Sequence, residues 1–419
     1  MLHFSLPGLS ARAIRNLARP ATRWGQRVLI RGGAAITART GLAWFAAETD
    51  FLWVRPWYAN ATTSTLTIDK TTIQASAGMA SLQPVDAGGA VLPMLPVYAN
   101  AAGLEHKPGE VSGSALALAI PAPSTNATLA AANPAFACGD WTKCPSIPRA
   151  DGSFRPLLQV RSYISGAATL INEVDKDAWD DPAVHLGRII DLYDGGGDQS
   201  AAASPAMAEV IRCYVAGLEF LGPRMVQSVL CIGDSETEGN MSTSGRRSWG
   251  HIVTAALSTA NRPVSHINAG WTAQTTQQFV DRGIQDIRRF LPSVVCFPGM
   301  SPNDFPTAMA VVQNGFENCL RLANAAREAG AIPIFWTSFP TNGRTAAQDA
   351  PRQWLNATLR GLRSNGWLVA DFDAAISNGG NPASILPAFD SGDGLHLNDA
   401  GWNACAAVMQ PVLGQALSL

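Results

Sequence analysis

The sequence predicts an α/β fold, a parallel sheet with helices on both faces, preceded by a β-rich, sandwich-like region. Three observations predict it. From residue 226 onward, apolar runs of strand length alternate with longer segments of helical periodicity, the pattern of successive βα units. Between residues 43 and 221, runs rich in β-branched and aromatic residues follow one another without regular helices, as in antiparallel all-β architectures. The chain has 419 residues, 47% hydrophobic and 15% charged, which is enough to bury a sizeable core and unlike a disordered chain. At that length two domains are expected rather than one. The expected division is a basic N-terminal extension over 1–42, a β-rich accessory domain over 43–222, and an α/β domain over 223–419.

Taken in order, the extension carries Arg12, Arg15, Arg19, Arg23, Arg27, Arg31 and Arg39, with no acid before Glu48. From Arg15 to Arg31 the arginines recur every four residues, one slowly drifting stripe if the segment is helical. A targeting segment, a surface-binding basic helix and a solvated face broken by Pro20 and Gly25 all fit, and the solvated face is preferred. Residues 11–29 lack the uninterrupted apolar core of a secretory signal, so a cytoplasmic location is expected over a secreted one. No apolar run is long enough for a transmembrane segment. The net charge of −2 argues against a nucleic-acid partner.

In the β-rich part, strands are expected over 52–58, 64–73, 114–120, 157–164 and 210–220. Long Ala-, Gly-, Pro- and Ser-rich stretches, such as 75–113 and 121–148, separate them. Two glycosylation sequons begin at Asn60 and Asn126. The seven cysteines are an odd number in a chain that is not small, so no disulfide framework is implied. Cys138 and Cys144 bracket a tight loop and form the one plausible local disulfide. Cys231 and Cys296 read as buried apolar fillers. No His/Cys cluster has metal-ligand spacing, so no metal and no cofactor are expected.

Leu221-Gly222-Pro223 is the natural boundary. After it, strands are expected over 226–232, 264–268, 293–297, 332–337 and 367–371. Helices are expected over 246–260, 272–290, 307–329, 346–364 and 398–417. Parallel strands joined by helices require right-handed crossovers and place ligands at the carboxyl ends of the strands. The first strand ends at Gly233-Asp234-Ser235, so Ser235 is a candidate nucleophile on a sharp turn. A serine needs a base, and the base an orienting group. His396, with Asp393 three residues before it on one loop, supplies both. Ser235, Gly270 and Asn303 each follow a strand end, and Asp393 and His396 precede the last helix, so all five fall on one rim.

These residues resemble the blocks of the GDSL-type, or SGNH, serine hydrolases over the last half of the chain. Gly233-Asp234-Ser235 is similar to the first block, with Glu236 where the name-giving leucine usually stands. Asn268-Ala269-Gly270 is similar to the second and Ser301-Pro302-Asn303-Asp304 to the third, although Gly299 lies four residues before Asn303 rather than two. Asp393 to His396 matches the fifth, Asp-x-x-His. The resemblance implies a flavodoxin-like sheet and a serine esterase working through an acyl-enzyme intermediate. Ser235, His396 and Asp393 would be the catalytic triad. The Ser235 N–H, the Gly270 N–H and the Asn303 amide would form the oxyanion hole. Asp304 reads as a structural carboxylate. Trp271 and Phe305 are candidate walls of an acyl pocket, or core. Glu236 and Glu238, flanking the nucleophile, would repel anionic substrates and favour neutral esters: short acyl, aryl or carbohydrate O-acetyl. Two other readings use the same residues. One is a non-catalytic glycan-binding or attachment protein with a vestigial site. The other is an acyltransferase. The partner expected is a small-molecule or glycan ester, and the oligomeric state is not encoded.

Overall fold

A computed structural model describes residues 23–27, 34–60, 64–80, 82–99, 117–122, 135–170, 189–209, 214–242, 248–305 and 308–418. Among the described residues, the C-terminal region holds five strands: β1 (Gln227–Gly233), β2 (Val264–Gly270), β3 (Val294–Pro298), β4 (Ile332–Trp336) and β5 (Leu368–Ala370). Every pairing among them is parallel, in the order β2-β1-β3-β4-β5. The described residues also form the helices α1 (Ser235–Glu238), α2 (Trp249–Leu257), α3 (Thr276–Phe290), α4 (Met309–Glu328), α5 (Ala346–Leu362), α6 (Phe372–Ile376) and α7 (Asp399–Leu417).

The strands are largely apolar because both faces are covered, with Ser265, His266 and Asn268 of β2 as buried polar exceptions. Val229 and Cys231 of β1 pack with α2 and α7 through Trp249, Val253, Trp402 and Cys405. Their neighbours Leu230 and Ile232 face the other way, against Phe279 and Ile287 of α3 and Leu322 of α4. Because β1 is flanked by β2 on one side and β3 on the other, the order in which strands are added reverses there. Such a switch point opens a crevice beyond the strand ends.

The N-terminal part is strand-rich and antiparallel. One sheet runs Arg23–Arg27, Gly217–Leu221, Trp53–Asn60 and Ala135–Cys138, with Thr142–Lys143 also pairing the 53–60 strand. A six-stranded sheet runs Ala208–Glu209, Ile189–Gly196, Ala34–Ala46, Leu157–Leu170, Lys70–Ser76 and Leu95–Val97. Val54, Leu218 and Phe220 of the first sheet share a core with Phe45, Ile73 and Val160 of the second. The Tyr58 hydroxyl joins the two sheets through Ser162 Oγ at 2.8 Å. This part meets the C-terminal region through Trp271, which packs with Ala59, Ala216 and Phe136, and through the Arg289 guanidinium, 3.7 Å over the Phe136 ring.

Several expectations change. The arginine stripe is not a helix where it is described. Arg23–Arg27 pairs antiparallel with Gly217–Leu221, and Arg39 lies within the strand Ala34–Ala46. Sheet pairing there overrides the local four-residue recurrence, and that second strand runs across the expected boundary at residue 42. Arg12, Arg15, Arg19 and Arg31 and the sequon at Asn126 lie outside the described residues. No disulfide joins Cys138 and Cys144. Cys144 is buried facing Gln74, and burial pushes its thiol up to about 12. Helix α3 starts at Thr276 rather than 272. Thr275 and Gln278 form a capping box, and Ala273 sits at φ +64°, outside helical space.

Candidate active site

The turn after β1 is built around Asp234. It is fully buried, caps α1 by accepting from the Glu236 N–H at 3.0 Å, and accepts the Ser301 hydroxyl. Burial raises its carboxyl to about 6 even though those two hydrogen bonds act to lower it. The turn is tight: a Cβ on Gly233 would lie 2.1 Å from Thr237 Oγ1. This geometry puts Ser235 at the first position of α1, with its Oγ 2.9 Å from His396 Nε2. The Ser235 N–H has no acceptor among the described residues.

His396 and Asp393 come from the loop before α7. His396 Nδ1 is 2.5 Å from Asp393 Oδ2. The other oxygen, Oδ1, accepts the N–H groups of Leu395 and His396, both at 2.8 Å, and the Ser391 hydroxyl at 3.0 Å. Burial acts to raise the Asp393 carboxyl, but the bonds from the His396 ring and the two N–H groups prevail and hold it down to about 2. The loop itself is pinned by Asn342 and Asp390. The Asn342 N–H donates to Gly394 O at 2.8 Å, and its side-chain amide donates to Asp390 Oδ2 at 2.6 Å. Asp390 Oδ1 accepts the N–H groups of Gly392 and Gly394, at 2.8 and 3.1 Å.

Asn303 lies on the turn of 3-10 helix Pro302–Asp304, capped by Ser301. Its amide nitrogen is 2.9 Å from Gln274 O and 3.1 Å from Ser301 Oγ. Asp304 anchors the turn: its Oδ2 accepts the Thr276 N–H at 2.8 Å and the Thr276 hydroxyl at 2.5 Å, at the start of α3. The longer Gly299-to-Asn303 spacing is thus taken up by one cap residue and a single 3-10 turn.

Gly270 differs from expectation. Its N–H donates to Asn268 Oδ1 at 2.9 Å, so it is not offered to an oxyanion. What Gly270 supplies is space: a Cβ there would lie 2.2 Å from the Glu238 N, so only glycine lets β2 lie against α1. On the same loop the exposed Ala273 N–H has no acceptor among the described residues.

Glu236 and Glu238 also differ from expectation, since neither faces a substrate. Both are buried. Glu238 Oε2 accepts the Thr272 N–H at 2.8 Å and the Thr272 hydroxyl. Neither oxygen of Glu236 has a hydrogen-bond partner among the described residues. Burial, with the Asp234 charge adding to it, pushes the Glu236 carboxyl well above its usual range, opposed by Arg352. Trp271 is 2% exposed and packs at the junction with the N-terminal part, so it is core rather than pocket wall.

Sequence reasoning missed Arg282. It is 1% exposed, and its Nη2 donates to Ala269 O at 2.7 Å, Gly233 O at 3.2 Å and Gln274 Oε1 at 2.8 Å. It therefore ties together the ends of β1 and β2 and the residue whose carbonyl holds Asn303. Asp286, also buried, balances its charge at 3.1 Å. A charged i, i+4 pair on the apolar face of α3 was the available signal.

Residues 231–403 match the GDSL-like lipase/acylhydrolase family, so the C-terminal region carries a GDSL-like hydrolase domain. The chain is similar to three solved structures. A GDSL-like lipase from Bacteroides thetaiotaomicron is 22% identical over 46% of this chain and 88% of its own, with a TM-score of 0.34. A member of the lipolytic protein G-D-S-L family from Veillonella parvula is 16% identical over 45% and 99%, with a TM-score of 0.36. A carbohydrate acetylesterase family member from Sinorhizobium meliloti is 20% identical over 46% and 100%, with a TM-score of 0.36. No curated protein matches the chain. Among the described residues, no helix is long and apolar enough to cross a membrane, and no His/Cys/Asp/Glu group is arranged to hold a metal ion.

Proposed function

We propose that residues 223–419 form a serine esterase that hydrolyses carboxylic esters through an acyl-enzyme intermediate. The observation that carries this reading is the unbroken chain Asp393–His396–Ser235, with contacts of 2.5 and 2.9 Å. In the reaction, Ser235 Oγ attacks the ester carbonyl carbon while its proton passes to His396 Nε2. Asp393 holds the proton on Nδ1 and stabilises the imidazolium. The tetrahedral intermediate collapses as the imidazolium returns that proton to the leaving alcohol. Water, deprotonated by the same nitrogen, then releases the acid and frees Ser235.

The negative charge on the carbonyl oxygen needs donors aimed where it develops. The Ser235 N–H is available. Asn303 can release its longer 3.1 Å contact to Ser301 and keep the bond to Gln274. The Ala273 N–H takes the role first given to Gly270. Its left-handed backbone would otherwise be an unexplained cost for a non-glycine residue.

Short acyl, aryl and carbohydrate O-acetyl esters are the candidate substrates. Glu236 and Glu238 are buried and do not select for neutral esters. The test is turnover of 4-nitrophenyl acetate. Wild type should turn it over, and Ser235→Ala should fall to the level of the buffer. Turnover that survives in Ser235→Ala would end the assignment. Adding a second alcohol and identifying products separates hydrolysis from acyl transfer.

A further inference from the structure

Arg344 stands out on the rim. It follows β4, on the loop that carries Asn342. That loop touches both sides of the site. The Asn342 N–H donates to Gly394 O, two residues before His396, and a Cβ on Gly394 would lie 3.0 Å from Asn342 Cβ. On the other side, the Arg344 guanidinium carbon is 5.6 Å from the centroid of the Phe305 ring, two residues after Asn303. Arg344 therefore lies between the base loop and the Asn303 turn.

Its electrostatics set it apart from the other arginines of α5 and its approach. Arg352 pairs with Asp349 and Asp373, both at 2.6 Å, and Arg360 pairs with Asp371 and Asp373, at 2.7 and 2.8 Å. Arg344 is half-buried and has neither an ion pair nor a hydrogen bond to any described residue. Burial lowers its pKa, Asp349 acts to raise it and Arg352 acts to lower it further. A guanidinium carries five donors in a planar fork suited to an oxyanion, and here they have no hydrogen-bond acceptor among the described residues, on the loop that reaches both the base loop and the Asn303 turn. The glutamates that would have repelled an anion are buried behind Ser235.

We propose that Arg344 is a specificity-determining residue that binds an anionic group of the ester, so that the preferred substrates are carboxylic esters bearing a carboxylate. This rests on the esterase reading above. The anion can sit on the acyl side or on the alcohol side, and two matched pairs distinguish them. The acyl pair is the 4-nitrophenyl monoester of succinic acid and its succinamide counterpart. The alcohol pair is 4-acetoxybenzoate and 4-acetoxybenzamide. Within each pair the size is constant and only the charge differs.

In wild type, kcat/KM should favour the charged member of one pair, and that preference should weaken with added salt. In Arg344→Gln, the charged-to-neutral ratio of kcat/KM should fall about 10- to 100-fold, as expected for loss of one charge-assisted contact. The fall should be carried mainly by KM, and Arg344→Lys should recover part of it. A wild type without preference in either pair, or an Arg344→Gln ratio equal to that of wild type, overturns the proposal while leaving the esterase reading intact. Failure of wild type to turn over any of the four esters overturns both.

Discussion

The two halves of the candidate site are held in different ways. The Ser235 turn is locked from behind, by buried groups. Asp234 is wholly buried, Arg282 grips three backbone or side-chain oxygens from inside, and Gly270 lets β2 close against α1. The Asp393–His396 loop is held from the side by a partly solvated hydrogen-bond frame, with Asn342 and Asp390 as its posts. A candidate nucleophile on a buried frame is positioned by the same contacts that stabilise the fold. A candidate base on a surface loop is positioned by contacts that the fold can spare. The two sides should therefore respond differently to mutation, one in stability and the other in activity.

The largest effect is expected on the buried side. Arg282→Met takes a guanidinium partner from buried Asp286 and one donor each from the carbonyls of Gly233 and Ala269. Breaking such a pair costs about 3–5 kcal/mol, so the thermal midpoint should drop by on the order of 10 °C. A midpoint within about 2 °C of wild type would erase the distinction between the two sides. Next comes the base side. Asn342→Ala should lower kcat/KM by about 10- to 100-fold through misplacement of His396. Its cost in stability should stay near 1–2 kcal/mol. Comparing unfolding curves with kinetics on one preparation checks both numbers, and a large loss of stability with intact turnover would reverse the assignment.

The smallest effect sharpens the comparison by changing sign. Glu236 is a buried carboxyl without a hydrogen bond among the described residues, and its pKa in the folded state is raised. Below the unfolded value, about 4.5, the group is protonated in both states and contributes no difference. As pH rises above that value, the unfolded chain gains by ionising and the folded state does not, so wild type loses stability. Glu236→Leu should therefore raise stability by about 1–2 kcal/mol at pH 8, with the gain shrinking toward pH 4.5. Thermal midpoints of both proteins across that range give the test, and a gain that is constant with pH would mean that packing alone is responsible.

How much of this was legible depends on what each segment buries. The strands of the C-terminal sheet were readable because both faces are covered, which leaves apolar runs such as that of β1. The strand Ala34–Ala46 was not, because its small residues and Arg39 follow neither strict alternation nor an apolar run. Ser235, Asp393 and His396 were legible because their chemistry requires those residue types at the end of a strand and on one short loop. The commitment of the Gly270 N–H was not, because it depends on where the Asn268 side chain turns. Nor was the burial of Glu236 and Glu238, since a helix of four residues has no periodicity to read.

The central claim is that Ser235 is a nucleophile activated by His396. The most direct measurement is labelling by an organophosphonate, followed by peptide mapping and the rate of label uptake. One label should appear on Ser235. It should be absent in Ser235→Ala and far slower in Asp393→Ala, where the imidazole loses the carboxylate that orients it. A label on another residue, or esterase-active protein that takes up none, would contradict the account.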